Sequence, residues 1–111
     1  MINVEKKDKI DIVTFPVNKI NALITDDIRD EIGKLSGISN SKIIIDLTGV
    51  EYIDSSGFSC LLSIMKTVRN NYGIIKFANP GPNVMELLKM LHLDTVFQIY
   101  GDLESCIRSF R

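Results

Sequence analysis

The chain reads as an α/β protein: a mixed, mostly parallel sheet that opens on an N-terminal hairpin and carries about four helices. Three observations lead there. Short apolar runs alternate with segments whose apolar residues recur at helical spacing, which gives the order β-β-α-β-α-β-α-β-α. One run, Lys42 to Asp46, is continuous and β-branched instead of alternating, as in a central strand covered on both faces and paired in parallel. The first two runs are separated only by charged residues, too short a link for anything but an antiparallel pair. Right-handed crossovers then lay the helices against the sheet.

Each element has its own signal. Ile2 to Glu5 and Ile10 to Phe15 are strand-like, with Lys6-Lys7-Asp8-Lys9 as the turn between them. Pro16 ends that ladder because it has no N–H to donate, and Lys19 to Leu23 reads as a loop. Thr25 is placed to cap the first helix. Asp26, Asp27, Asp30 and Glu31 crowd its opening turns, where negative charge meets the positive end of the helix dipole. Ile24, Ile28, Ile32 and Leu35 form its buried stripe, and Gly37 stops it. The third strand is Lys42 to Asp46. A loop and a second helix follow, striped by Phe58, Leu61, Leu62, Met65 and Val68, and stopped at Asn70-Asn71-Tyr72-Gly73.

Ile74 to Ala78 is the fourth strand. Asn79-Pro80-Gly81-Pro82-Asn83 is a turn, and Pro82 suits the first position of the next helix. Val84, Leu87, Leu88 and Leu91 are expected to line that helix's buried face, with His92 just beyond. Val96 to Tyr100 reads as a short last strand. Asp102 then caps a final helix carrying Leu103, Cys106, Ile107 and Phe110 on one side.

Composition narrows function. With 111 residues, 45% hydrophobic and 24% charged, the chain fits one globular domain, taken as residues 1–111. A net charge of −1 argues against a partner recognised through its phosphate backbone, such as nucleic acid. No apolar run reaches the roughly 18 residues that span a bilayer, and no leader peptide is visible, so membrane insertion is not expected and the cytoplasm is. Cys60 and Cys106 fall in helical patterns and read as buried thiols. His92 is the only histidine, which removes any multi-histidine metal site. Gly-x-Gly-x-x-Gly, the phosphate-loop lysine motif and Gly-x-Ser-x-Gly are all missing. No metal or cofactor and no catalytic residue is expected. Asp46 ends a strand and Asp54 sits at a helix start, so structural roles account for both carboxylates.

The chemistry concentrates after the third strand, in Asp46-Leu47-Thr48-Gly49-Val50-Glu51-Tyr52-Ile53-Asp54-Ser55-Ser56-Gly57-Phe58. In open α/β sheets the loop past a strand's carboxyl end is where ligands and partners meet the fold. A helix that starts here presents unpaired N–H groups and roughly half a unit of positive charge. Asp54, Ser55 or Ser56 can cap it, and Gly57 lets backbone approach closely. A phosphate on Ser55 would bring about −1.5 to −2 charges to a position already suited to anions.

That thirteen-residue stretch resembles the signature of the STAS domain, in the form carried by bacterial anti-sigma factor antagonists. There a strand ending in Asp-Leu leads to Asp-Ser-Ser/Thr-Gly at a helix start. Asn79-Pro80 and Leu93-Asp94-Thr95-Val96-Phe97 are similar to the family's third helix and last strand. The resemblance implies a STAS-like single domain whose phosphoacceptor falls on Ser55. It implies an unphosphorylated form that binds an anti-sigma factor which is also a serine kinase, and a phosphatase that resets the phosphoserine. The partner surface would then comprise Asn21, Asp54, Ser55, Ser56, Gly57 and Phe58. Asn21 stands where many members have Asp; it keeps the hydrogen-bonding capacity and loses the charge. The rival within the family is an adaptor subunit of a lipid-transport or stress-signalling complex, with Ser55 unmodified.

Overall fold

A computed structural model describes residues 2–111. Among them the strands are β1 (Asn3–Lys7), β2 (Ile10–Thr14), β3 (Lys19–Ile20), β4 (Lys42–Asp46), β5 (Tyr52–Ile53), β6 (Ile74–Ala78) and β7 (Ile99–Tyr100). The helices are α1 (Thr25–Ser36), α2 (Ser55–Asn70), α3 (Pro82–Met90) and α4 (Leu103–Arg108), with a 3-10 turn at Leu93–Thr95. The main sheet has the order β1-β2-β4-β6-β7, with β1 antiparallel to β2 and the remaining pairs parallel. The expected fold class is the observed one.

The hairpin closes on two residues, Asp8 and Lys9, both at positive φ (54° and 67°). That is the turn whose twist matches a right-handed ribbon, built here without the usual glycine. At the centre of the sheet Ile43, Ile44 and Ile45 are each 0% exposed. Burying three such side chains contributes about 1.5–3 kcal/mol apiece, which is why this strand shows no alternation in sequence. Ile43 and Ile45 point into the larger core with Ile28, Ile32, Leu61 and Val68. Ile44 points the other way, into a smaller cluster with Ile10, Ile12, Ala78, Cys106 and Ile107.

The smaller cluster contains a cation. Lys76 on β6 is only 8% exposed. Its ammonium donates to Ser109 O at 3.1 Å and Ser109 Oγ at 2.8 Å, and lies 4.6 Å from the Phe110 ring centre and 5.4 Å from that of Tyr100. A buried ammonium is tolerated because the carbonyl end of α4 and two aromatic faces replace its water.

Several local expectations shift. The pair β3–β5, parallel with Ile20 opposite Ile53, lies where a loop is expected. Thr25 does not cap α1: the cap position is Ile24, with no side-chain hydrogen bond, and the Thr25 hydroxyl donates instead to Ala22 O at 3.4 Å. Asn21 sets that geometry, because its Oδ1 accepts from Leu23 N–H and its carbonyl accepts from Ile24 N–H. Leu91 is 52% exposed and not on the buried face, since α3 ends at Met90 and His92 turns left-handed (φ 57°). The last strand shrinks to Ile99–Tyr100. Phe97 is used first as core filling, stacked on Phe77 at 4.4 Å.

Candidate functional site

The short pair β3–β5 brings two loops together. Glu51 and Tyr52 N–H groups donate to Asn18 O at 2.7 and 3.2 Å, and Asp54 N–H donates to Ile20 O at 3.1 Å. Asn21 and Asp54 therefore leave the ladder side by side, one toward α1 and the other toward α2. Upstream, the Asp46 carboxylate accepts from Thr48 N–H (3.0 Å) and the Thr48 hydroxyl (2.6 Å), and Asn79 Nδ2 donates to that hydroxyl (2.6 Å). The chain then turns from Leu47 to Val50 through Gly49 at φ 81°, a value only glycine takes without strain. Asp46 thus anchors the loop.

At the start of α2 the division of labour is explicit. Asp54 has extended backbone and its Oδ1 accepts from Gly57 N–H at 2.9 Å, so it is the cap. Ser55, the first helical residue, is exposed, and Ser56 is half-buried. Among the described residues the Ser55 hydroxyl takes part in no side-chain hydrogen bond. The first turn of α2 holds no acidic side chain. Ser55 is therefore a hydroxyl with no structural duty at an end of the helix whose partial positive charge is met only by the cap.

Gly57 and Phe58 turn inward. A Cβ on Gly57 would stand 2.5 Å from Ile53 Cγ2 and 2.9 Å from Ile20 O, so the close backbone approach this glycine permits is that of α2 onto β3–β5. Phe58 is 4% exposed and packs in the larger core. One wall of it still borders a cleft of about 260 Å³ that Ser55, Ser59, Leu62, Leu91 and Leu93 complete. Ser59 has no motif signal, and Leu93 falls in the stretch similar to the family's last strand without being marked there as a surface residue. Leu62 and Leu91 are apolar positions at helical spacing, which the sequence alone assigns to the core.

Among the described residues no group of three His, Cys, Asp or Glu side chains could hold a metal ion, and no helix is long and apolar enough to cross a membrane. Cys106 is buried, and desolvation pushes its thiol up to about 11. Burial also raises the Cys60 thiol.

A mixed five-stranded sheet with an antiparallel edge, and a helix start presenting an idle hydroxyl beyond its central strand, define a small α/β domain built to present a surface. The chain belongs to the STAS domain family, whose sequence model matches residues 1–106. It is 27% identical over 71 residues to a Thermotoga maritima protein named as a candidate anti-sigma factor antagonist; the match spans 64% of this chain and 63% of that relative's length. Two solved structures share the fold. One is an anti-sigma-factor antagonist (STAS) domain protein from Planctomyces limnophilus, with TM-score 0.88 and 22% identity over 97% of this chain and 96% of that one. The other is the Bacillus cell fate determinant SpoIIAA in its phosphorylated form, with TM-score 0.73 and 17% identity over the whole of both chains.

Proposed function

We propose that this chain is an anti-sigma factor antagonist switched by phosphorylation of Ser55. Unphosphorylated, it binds an anti-sigma factor that is also a serine kinase and thereby frees the sigma factor. The kinase transfers a phosphoryl group from ATP to Ser55, and a phosphatase acting on phosphoserine returns the chain to its binding form. The observation that carries this reading is the exposed Ser55 hydroxyl, free of hydrogen-bonding duty because Asp54 does the capping. The names of the relatives support the antagonist role, and the phosphorylated form of SpoIIAA shows that a protein of this fold accepts the modification.

The mechanism is electrostatic. The contact surface comprises Ser55, Ser56, the Asp54 cap and the Asn21 loop beside it, with Gly57 and Phe58 holding the helix from behind. The cleft walled by Leu62, Leu91 and Leu93 supplies apolar area next to the acceptor. A phosphate dianion pressed into that contact must shed water, at several kcal/mol unless a cation meets it. Each 1.4 kcal/mol is about a tenfold change in affinity, so the switch needs no change of fold. Asn21 keeps the loop shape through its Leu23 contact without adding a second negative charge beside Asp54.

The test is incubation with the kinase-type anti-sigma factor and ATP, read by intact mass. One phosphate should be added to the wild type and none to Ser55→Ala, and the phosphorylated chain should lose the partner while its far-UV circular dichroism stays the same. Phosphate uptake by Ser55→Ala at the wild-type rate would overturn the assignment. Partner capture in which the unmodified chain binds a transport subunit and no kinase would favour the adaptor role.

A further inference from the structure

One short helix covers the second face of the sheet. α4 has six residues, well below the roughly 12–15 at which a helix begins to hold by itself in water. It contributes Cys106 and Ile107 to the smaller cluster, against Ile10, Ile12, Ile44 and Ala78. Its cover is incomplete. Glu5 and Lys7, opposite Ile12 and Ile10 in the hairpin and so on the same face, are exposed. A cavity of about 200 Å³ lies between α4 and the hairpin, lined by Lys7, Asp8, Glu104, Ile107, Arg108 and Arg111. The Arg111–Asp8 ion pair crosses that gap at 2.8 Å, and as an exposed pair it is a weak fastener.

Under the helix lies a charge. Lys76 stands beside Ile44 in the β4–β6 register, two residues before Ala78, and forms no ion pair among the described residues. Its hydrogen-bond acceptors are the carbonyl and hydroxyl of Ser109, at the end of α4, and the Phe110 ring lies over it. Neutral oxygens and a ring face replace only part of the hydration that an ammonium loses on burial. That hydration returns when α4 lifts. The ammonium therefore favours the lifted form, relative to an apolar side chain of the same length, while Ser109 opposes it.

We propose that α4 is a reversible strap that lifts from the sheet while the rest of the domain stays folded, and that the Lys76 ammonium sets how often it lifts. Few apolar contacts and a solvent-exposed margin are the features of a segment that opens apart from global unfolding. Lifting uncovers Ile10, Ile12, Ile44 and the Cys106 thiol. The larger core, which α1 and α2 build on the other face, keeps Cys60 covered. The strap operates whether or not Ser55 is phosphorylated, so it stands apart from the switch.

The two buried cysteines give the experiment. The full chain is alkylated with iodoacetamide over a series of urea concentrations below the unfolding midpoint, and peptide mapping follows each thiol. Cys106 should react well before Cys60 and with a weaker urea dependence, because lifting α4 exposes less surface than unfolding the domain. Lys76→Met keeps the stem and removes the charge, and should slow the Cys106 reaction about tenfold. Ser109→Ala takes away one acceptor and should speed it severalfold. Reaction of Cys106 and Cys60 together, with one urea dependence, would overturn the proposal. So would a Cys106 rate that Lys76→Met raises, or one that neither substitution changes.

Discussion

Two helices start from the β3–β5 pair, and they start differently. α1 begins at Ile24 with no side-chain acceptor, and two carboxylates, Asp26 and Asp27, lie in its first turn. α2 begins at Asp54, whose carboxylate accepts from Gly57 N–H, and its first turn holds no acidic residue. The positive end of α1 is thus balanced by charges along the helix, while that of α2 is met only by its cap. A new anion on α1 would repel two neighbours. On Ser55 it would meet a helix end with room for charge. The same fold therefore has one helix start whose first turn already holds acidic charge and one whose first turn holds none.

The largest break in this comparison comes from Gly57. Gly57→Ala places a methyl 2.9 Å from the Ile20 carbonyl, a backbone atom that cannot rotate away. The expected loss is about 1–3 kcal/mol, seen as a lower urea midpoint, because α2 must lift off β3–β5. A midpoint equal to that of the wild type would show that the junction is loose and that α2 is not set by this contact.

Next in size is the cap. Asp54→Ala should cost about 1 kcal/mol and Asp54→Asn only a fraction of that, since asparagine keeps the acceptor. Thermal unfolding of the pair separates capping from charge. Equal loss in both variants would assign the effect to the carboxylate's charge.

A smaller and more pointed contrast uses charge alone. Ser55→Asp should leave stability unchanged or raise it by about 0.3–1 kcal/mol, and Asp27→Asn should lower it by a similar amount. Both differences should shrink in 1 M salt. If Ser55→Asp destabilised the fold, the α2 start would not be the one with room for charge.

The smallest effect concerns a third helix start. Asp102 caps α4 by accepting from Ser105 N–H at 2.7 Å, and that bond, with the Ser105 side chain, holds its carboxyl below the usual carboxylate range. A depressed folded-state pKa means that the stabilisation is complete above the unfolded value of about 3.8 and fades as pH falls through the lower folded one. The difference in melting temperature between wild type and Asp102→Ala should therefore be constant near neutrality and narrow only under acid conditions.

Sequence dictates structure directly where one residue's chemistry or one strong period decides the outcome. The triple isoleucine placed β4 at the centre, Pro82 opened α3 and Asp102 capped α4. Elsewhere the cause lies across space. β3 and β5 are two residues each, too short for any period, and exist because Ile20 and Ile53 bury each other beneath α2. Thr25 has the chemistry of a cap, but Asn21, four residues earlier, fixes the chain's approach to α1 first. Lys76 is buried because α4, far along the chain, folds over it.

Local residue chemistry was enough to establish the element order, the parallel core strand and a polar helix start after it, because propensity, capping and apolar spacing act within a few residues. Which of Asp54, Ser55 and Ser56 caps the helix and which is left idle, the inward direction of Gly57, and the meeting of exposed Leu91, just past α3, with Ser55 along one cleft came from packing. Those outcomes depend on contacts between segments tens of residues apart, and such contacts exist only once the sheet has brought the loops together.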